Sequence, residues 1–281
     1  MLRVLNYTFD RRVKWPTVEV ERYVDETDGH TYSVYWATPL PTNRLDEKIY
    51  VLIAGMLSSH DSKYLGRFVE GLSTRGATCV LNYPLIVDKA TGETIPDYSD
   101  DRYLRAYLEM LQLRYPRGQL VVVGFSIGGS IAIKCADIAD AVVAVCSPVK
   151  GSDAWDSIKH VYFEMMRAAF LTGPMTRLLV KEPTRWVKAA TTVLFARNSK
   201  HLTTQLEAET GHLIYHMTIE KVLEVAPLEK ITMIHTRDDR VIPYLQDSDP
   251  IFARVKRVTL EKGDHILFNA EEAAQVLALI P

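Results

Sequence analysis

The stretch LVVVGFSIGG, residues 120–129, decides the fold. Leu120 to Val123 is a continuous apolar run, suited to a strand covered on both faces. From Ser126 to Ile138 the chain is largely apolar and reads as a buried helix. Ser126 therefore falls on a sharp strand-to-helix turn that holds its hydroxyl clear of the backbone. Side chains two residues before and after would clash in such a turn, and Gly124 and Gly128 remove them. The pattern is GxSxG. A dinucleotide-binding turn would read GxGxxG and a P-loop would carry Lys-Ser or Lys-Thr; neither is present.

Outward from this turn, short apolar runs alternate with helical ones. Ile49 to Ala54, Ala77 to Leu81, Ala141 to Cys146, Ile231 to His235 and Val255 to Leu260 read as strands. Tyr64 to Leu72, Asp100 to Leu113 and Glu271 to Leu279 read as helices, and the second opens on aspartates that suit a helix N-terminus. Thr17 to Val24 and Thr31 to Ala37 alternate in period two, as an antiparallel pair does. The alternation predicts an α/β fold: a mostly parallel central sheet with helices on both faces.

One span breaks the pattern. Residues 148–228 show no clear strand, and Met and aromatic residues recur there at helical spacing. A stretch this long is not a bare loop in a compact domain. It reads as a helical cap inserted after the sixth strand, with 1–147 and 229–281 forming the core.

A lone serine is a weak nucleophile and needs a base, which in turn needs an orienting acid. Asp238-Asp239-Arg240-Val241-Ile242-Pro243 follows the strand at Ile231, and Gly263-Asp264-His265 follows the strand at Val255. Loops after strand ends are where an open α/β sheet carries its site. The order Ser126, Asp239, His265 is that of a recurring triad. Asp238 competes for the acid role, and the four-residue offset to Pro243 favours Asp239. Asp264 adjoins His265 in sequence, whereas a triad partner is usually remote.

These three segments, GFSIG, DRVIP and GDHILF, resemble the α/β-hydrolase superfamily over roughly Ile49 to the C-terminus. The resemblance implies Ser126 as nucleophile, His265 as base and Asp239 as acid. It places the chain nearest small esterase, lipase and thioesterase-like members, whose caps are inserted at the same place. Many members carry His-Gly after the third strand, where this chain has Ala54-Gly55-Met56. Gly55 still lets the backbone turn, so the N–H groups of Met56 and Ile127 are the candidate oxyanion donors. Many members also have an Arg-Gly-x-Gly-x-Ser turn after the fourth strand. Here Asn82-Tyr83-Pro84 runs on to Asp100 without it.

Composition narrows the partners. Hydrophobic residues are 47%, charged residues 24% and the net charge is −2, so nothing points to nucleic acid or an anionic membrane. No stretch approaches the roughly 20 apolar residues of a membrane span. Cys79, Cys135 and Cys146 lack metal or disulfide spacing, which reads as buried free thiols in a reduced, cytoplasmic protein, monomer or homodimer. His212 and His216 stand at i, i+4, but Leu213 occupies the place of the glutamate in HExxH, and no metal or other cofactor is expected. His60 is a candidate for the pocket mouth or a solvated loop position; His235 is read as a strand end.

The expected function is hydrolysis of a carboxylic ester or thioester through an acyl-enzyme. Cap residues such as Met166 and Phe170, with Phe125, are candidates for a pocket that takes a substantial apolar group. The same site is open to acyl transfer, elimination (lyase) or cyclisation chemistry. A ligand-binding receptor without catalysis is the reading from another class, and it has no need of a triad.

Overall fold

A computed structural model describes residues 15, 17–24, 31–41, 47–55, 58, 60–87, 94–96, 101–150, 219–239, 241–242, 253–263, 265 and 268–281. An N-terminal antiparallel pair, β1 (Glu19–Val24) and β2 (Thr31–Trp36), runs in the register Glu19 to Trp36. It is followed by β3 (Lys48–Ile53), α1 (Lys63–Ser73), β4 (Ala77–Leu81), and two three-residue strands, β5 (Leu85–Val87) and β6 (Thr94–Pro96). Then come α2 (Arg102–Arg114), β7 (Gln119–Phe125), α3 (Ile127–Lys134) and β8 (Ala141–Val145). After 151–218 the chain resumes with α4 (Glu220–Val225), a 3₁₀ turn (Leu228–Lys230), β9 (Ile231–Thr236), β10 (Lys256–Leu260) and α5 (Ala270–Leu279).

The strands form one sheet in the order β10-β9-β8-β7-β3-β4-β2-β5-β6, with β1 on β2. From β10 to β4 every pairing is parallel, and the antiparallel pairings are confined to the other side. Parallel strands need cover on both faces, which is why β3, β4, β7 and β8 are almost wholly buried apolar runs. β7 lies inside the parallel part, between β8 and β3, so the turn after it opens between neighbours on both sides.

Three local features tie the frame together. Glu21 on β1 accepts from Trp36 Nε1 (2.8 Å), Tyr107 Oη (3.2 Å) and Arg114 (2.7 Å), fastening the N-terminal pair to α2. Burial works against its charge, but the bonds from Trp36 and Arg114 hold the carboxyl below its ordinary value. At the C-terminal end, Asn269 and Glu272 form a reciprocal capping box on α5, and Tyr50 Oη donates to Pro281 O at 2.9 Å.

The fold differs from the sequence reading in two details. β5 and β6 lie in what reads as a continuous loop, so the strand before 148–228 is the eighth and not the sixth. α3 stops at Lys134, four residues early: Cys135 N–H and Ala136 N–H turn to carbonyls three residues back, the tightening typical of a helix end. The expected cap falls mostly outside the described residues, at 151–218. The chain leaves and returns at one place, since Ile219 N–H donates to Val149 O at 3.0 Å. No helix among the described residues is long and apolar enough to cross a membrane.

Candidate active site

Ser126 sits between β7 and α3 with φ 54° and ψ −126°, a conformation that costs a residue with a side chain of order 1–3 kcal/mol. The surroundings hold it there. Ser126 N–H donates to Val145 O (2.9 Å), and Gly129 N–H donates back to Ser126 O (2.9 Å). A Cβ at Gly124 would lie 2.2 Å from Gly128 O, so strand and helix meet with no room for a methyl. Gly128 is needed for a different reason than strand-helix contact. A Cβ there would lie 2.4 Å from Ala54 O and 2.7 Å from Ile53 O, at the exit of β3.

His265 and Asp239 meet from loops after β10 and β9. His265 Nδ1 lies 2.8 Å from Asp239 Oδ2. Asp239 Oδ1 accepts from the N–H groups of Val241 and Ile242, each at 2.8 Å, which aims the carboxylate at the imidazole. Asp238 is exposed to solvent. Ser126 and His265 are both 8% exposed, so the two residues are sheltered but reachable.

Cys146 joins this end of the site, and no motif announces it. Its Sγ donates to His265 O at 3.1 Å and lies 4.0 Å from Thr236 Oγ1. Burial, reinforced by the Asp239 charge, pushes the thiol well above its ordinary range, so it remains a donor. Cys146 and His265 both have positive φ, 49° and 48°. Cys146 Sγ, an Asp239 oxygen and a His265 ring nitrogen lie within 4.8 Å of one another, a donor set of metal-binding type. Their hydrogen bonds already engage one another and the nearby backbone.

The other candidates divide clearly. His60 is half-buried: its ring stacks on Tyr35 (3.5 Å, 2°), and its Nδ1 is 3.2 Å from Asn82 Nδ2. Phe125, expected in the substrate pocket, is fully buried with its ring on Tyr64 and Phe68. His235 is buried at the end of β9, and burial with help from the Arg257 charge pushes it down to about 4. Arg237 pairs with Glu261 at 2.8 Å in the open. All three cysteines are free and buried. Met56, Met166, Phe170, His212, His216 and Asp264 lie outside the described residues.

The alpha/beta hydrolase family model matches residues 51–279, from inside β3 to the end of α5. The chain belongs to the alpha/beta hydrolase family. Abhydrolase domain-containing protein 2 of Drosophila melanogaster is 33% identical over 129 residues, 44% of this chain and 31% of that protein. Monoacylglycerol lipase ABHD2 of Homo sapiens is 30% identical over 117 residues, 40% of this chain and 28% of that one. The chain thus spans under a third of the curated relatives it matches. Among solved structures, the Pyrococcus furiosus esterase Pf2001 aligns over 95% of both chains with a TM-score of 0.56 and 16% identity. Alpha/beta hydrolase domain-containing protein 10 from mouse aligns over 94% of this chain and 97% of its own, with a TM-score of 0.53 and 12% identity. At such identities the likeness is one of fold.

Proposed function

We propose that this hydrolase cleaves carboxylic esters or thioesters that carry a substantial apolar group, through a covalent acyl-enzyme on Ser126. The observation that carries the reading is the 2.8 Å contact of His265 Nδ1 with an Asp239 carboxylate held from behind by two backbone N–H groups. An ionised carboxylate only accepts, so Nδ1 carries the proton and Nε2 offers its lone pair. Nε2 takes the Ser126 proton as Oγ attacks the substrate carbonyl. The N–H groups of Ile127 and Met56 receive the oxyanion. The alcohol or thiol leaves with the proton from His265, and water activated by the same imidazole releases the acid. Names of similar proteins, a monoacylglycerol lipase and an esterase, favour acyl esters as the substrate class.

The test is labelling with a fluorophosphonate followed by peptide mapping. Ser126 is the expected adduct, and Ser126→Ala is expected to lose labelling and about a million-fold in turnover while staying folded. Turnover near the parent level in a verified Ser126→Ala protein would overturn the assignment.

A further inference from the structure

The family resemblance leaves one gap: a polar side chain is missing at position 54, where this chain has alanine. Two tyrosines fill it from elsewhere. Tyr83 Oη donates to Ala54 O at 2.6 Å, and Gly55 N–H donates to Tyr64 Oη at 2.9 Å. The Ala54 carbonyl and the Gly55 N–H are opposite ends of one peptide unit. That unit is planar and trans, so grasping both ends fixes its orientation.

We propose that Tyr64 and Tyr83 are positioning residues that set the oxyanion loop for catalysis. This rests on the reading of Ser126 as nucleophile and of the residue after Gly55 as an oxyanion donor. Both phenols are buried, Tyr64 at 8% and Tyr83 at 3% exposure, so competition from water is low. Their rings are fixed as well. Tyr64 packs edge-on to Phe125 (5.4 Å, 70°), the residue before Ser126, and Tyr83 packs on Tyr103 (6.1 Å, 55°). The next carbonyl is also engaged, since Gly55 O accepts from Ser58 N–H at 3.2 Å. From the other side, the absent Cβ of Gly128 lets α3 close on Ala54 O. Nucleophile turn and oxyanion strand are thereby locked in one packing unit, linked through Phe125 and Gly128.

The experiment compares Tyr64→Phe, Tyr83→Phe and the double variant, which keep the rings and remove the hydroxyls. Four quantities are read: kcat, KM, melting temperature, and affinity for a trifluoromethyl ketone that forms a tetrahedral adduct with the serine. Misplacement of groups about an oxyanion is costly, so the double variant should lose about ten- to a hundred-fold in kcat. KM should stay within about three-fold, and ketone affinity should fall in parallel with kcat. If Tyr83→Phe fails to fold, Tyr64→Phe, which removes the acceptor for Gly55 N–H, decides alone by the same split. A folded variant with parental kcat and ketone affinity, or with a loss in KM only, overturns the proposal. An inert Ser126→Ala beside fully active Phe variants leaves the serine reading standing and removes the clamp alone; an active Ser126→Ala removes the underlying reading.

Discussion

The two ends of the candidate site are built differently. At the end proposed for acid–base chemistry, Asp239, His265 and Cys146 come from three loops and are joined by polar side-chain bonds. At the end proposed to receive the oxyanion, backbone lies on backbone: Gly128 against the carbonyls of Ile53 and Ala54, with two phenols closing the gap. The first end should be sensitive to loss of a charge or donor, the second to gain of a methyl. The difference follows from what each must hold. An imidazole has to be kept in one tautomer while its proton moves, whereas an N–H donor needs only a fixed direction.

The largest effect is expected at Asp239. Asp239→Asn keeps the shape but removes the charge that orients His265. Turnover should fall by about ten-thousand-fold, read as kcat on a chromogenic ester. Asp238→Asn, at an exposed position one residue away, should stay within a few-fold of the parent. Equal losses in the two variants would mean that the 2.8 Å contact does not set the role.

At the other end, the matching substitution is Gly128→Ala. Its methyl would lie 2.4 Å from Ala54 O, which must move. Overpacking of this kind costs about 1–3 kcal/mol, and a displaced oxyanion strand should lower kcat by about a hundred-fold. Urea denaturation and steady-state kinetics read the two parts. Loss of stability with kcat intact would show that the close approach serves packing only.

A third outcome concerns the ground beneath the acid–base end. His235, buried on β9, is pushed down to about 4, with the Arg257 and His265 charges adding to the effect of burial and the Asp239 charge opposing it. Above its ordinary value near 6.5 the side chain is neutral in both folded and unfolded chains. As pH falls from about 6.5 to 4, the unfolded chain takes up a proton that the folded one refuses, so stability drops. The fall should approach about 3 kcal/mol and be largely absent in His235→Gln, measured by denaturant midpoints across that window. The same slope in both proteins would assign the effect to other groups.

Much of this architecture was legible because its physical demands are local. Buried parallel strands need apolar runs, and the Ser126 turn needs Gly124 two residues away, so both leave marks within ten residues. The spacing to Pro243 singles out Asp239, whose carboxylate lies 2.8 Å from His265, over the exposed Asp238. Three-residue strands such as β5 and β6 carry too few positions to show a period, and β6 includes Pro96. The sequence extends α3 too far because Cys135-Ala136-Asp137 contains no Gly or Pro to mark the stop at Lys134. The partners of the two ends were invisible for a different reason. Tyr83 meets Ala54 across 29 residues and Cys146 meets His265 across 119, contacts that no spacing rule encodes.

The smallest effect is expected at Cys146, where a donor and a filled volume can be told apart. Cys146 donates to the carbonyl of His265, a residue at φ 48° whose backbone has no regular secondary structure to hold it. A net hydrogen bond is worth about 0.5–1.5 kcal/mol, and a thiol is a weak donor, so the lower part of that range applies. Cys146→Ala should therefore cost about two- to five-fold in kcat, by loosening the base without removing it. Cys146→Ser restores a stronger donor at a slightly shorter reach and should recover most of that loss. If serine is as poor as alanine, the sulfur matters for the space it fills, and this end of the site is packed like the other. If serine recovers the rate while alanine does not, the donor is what counts, and the two ends differ in the way their contacts predict.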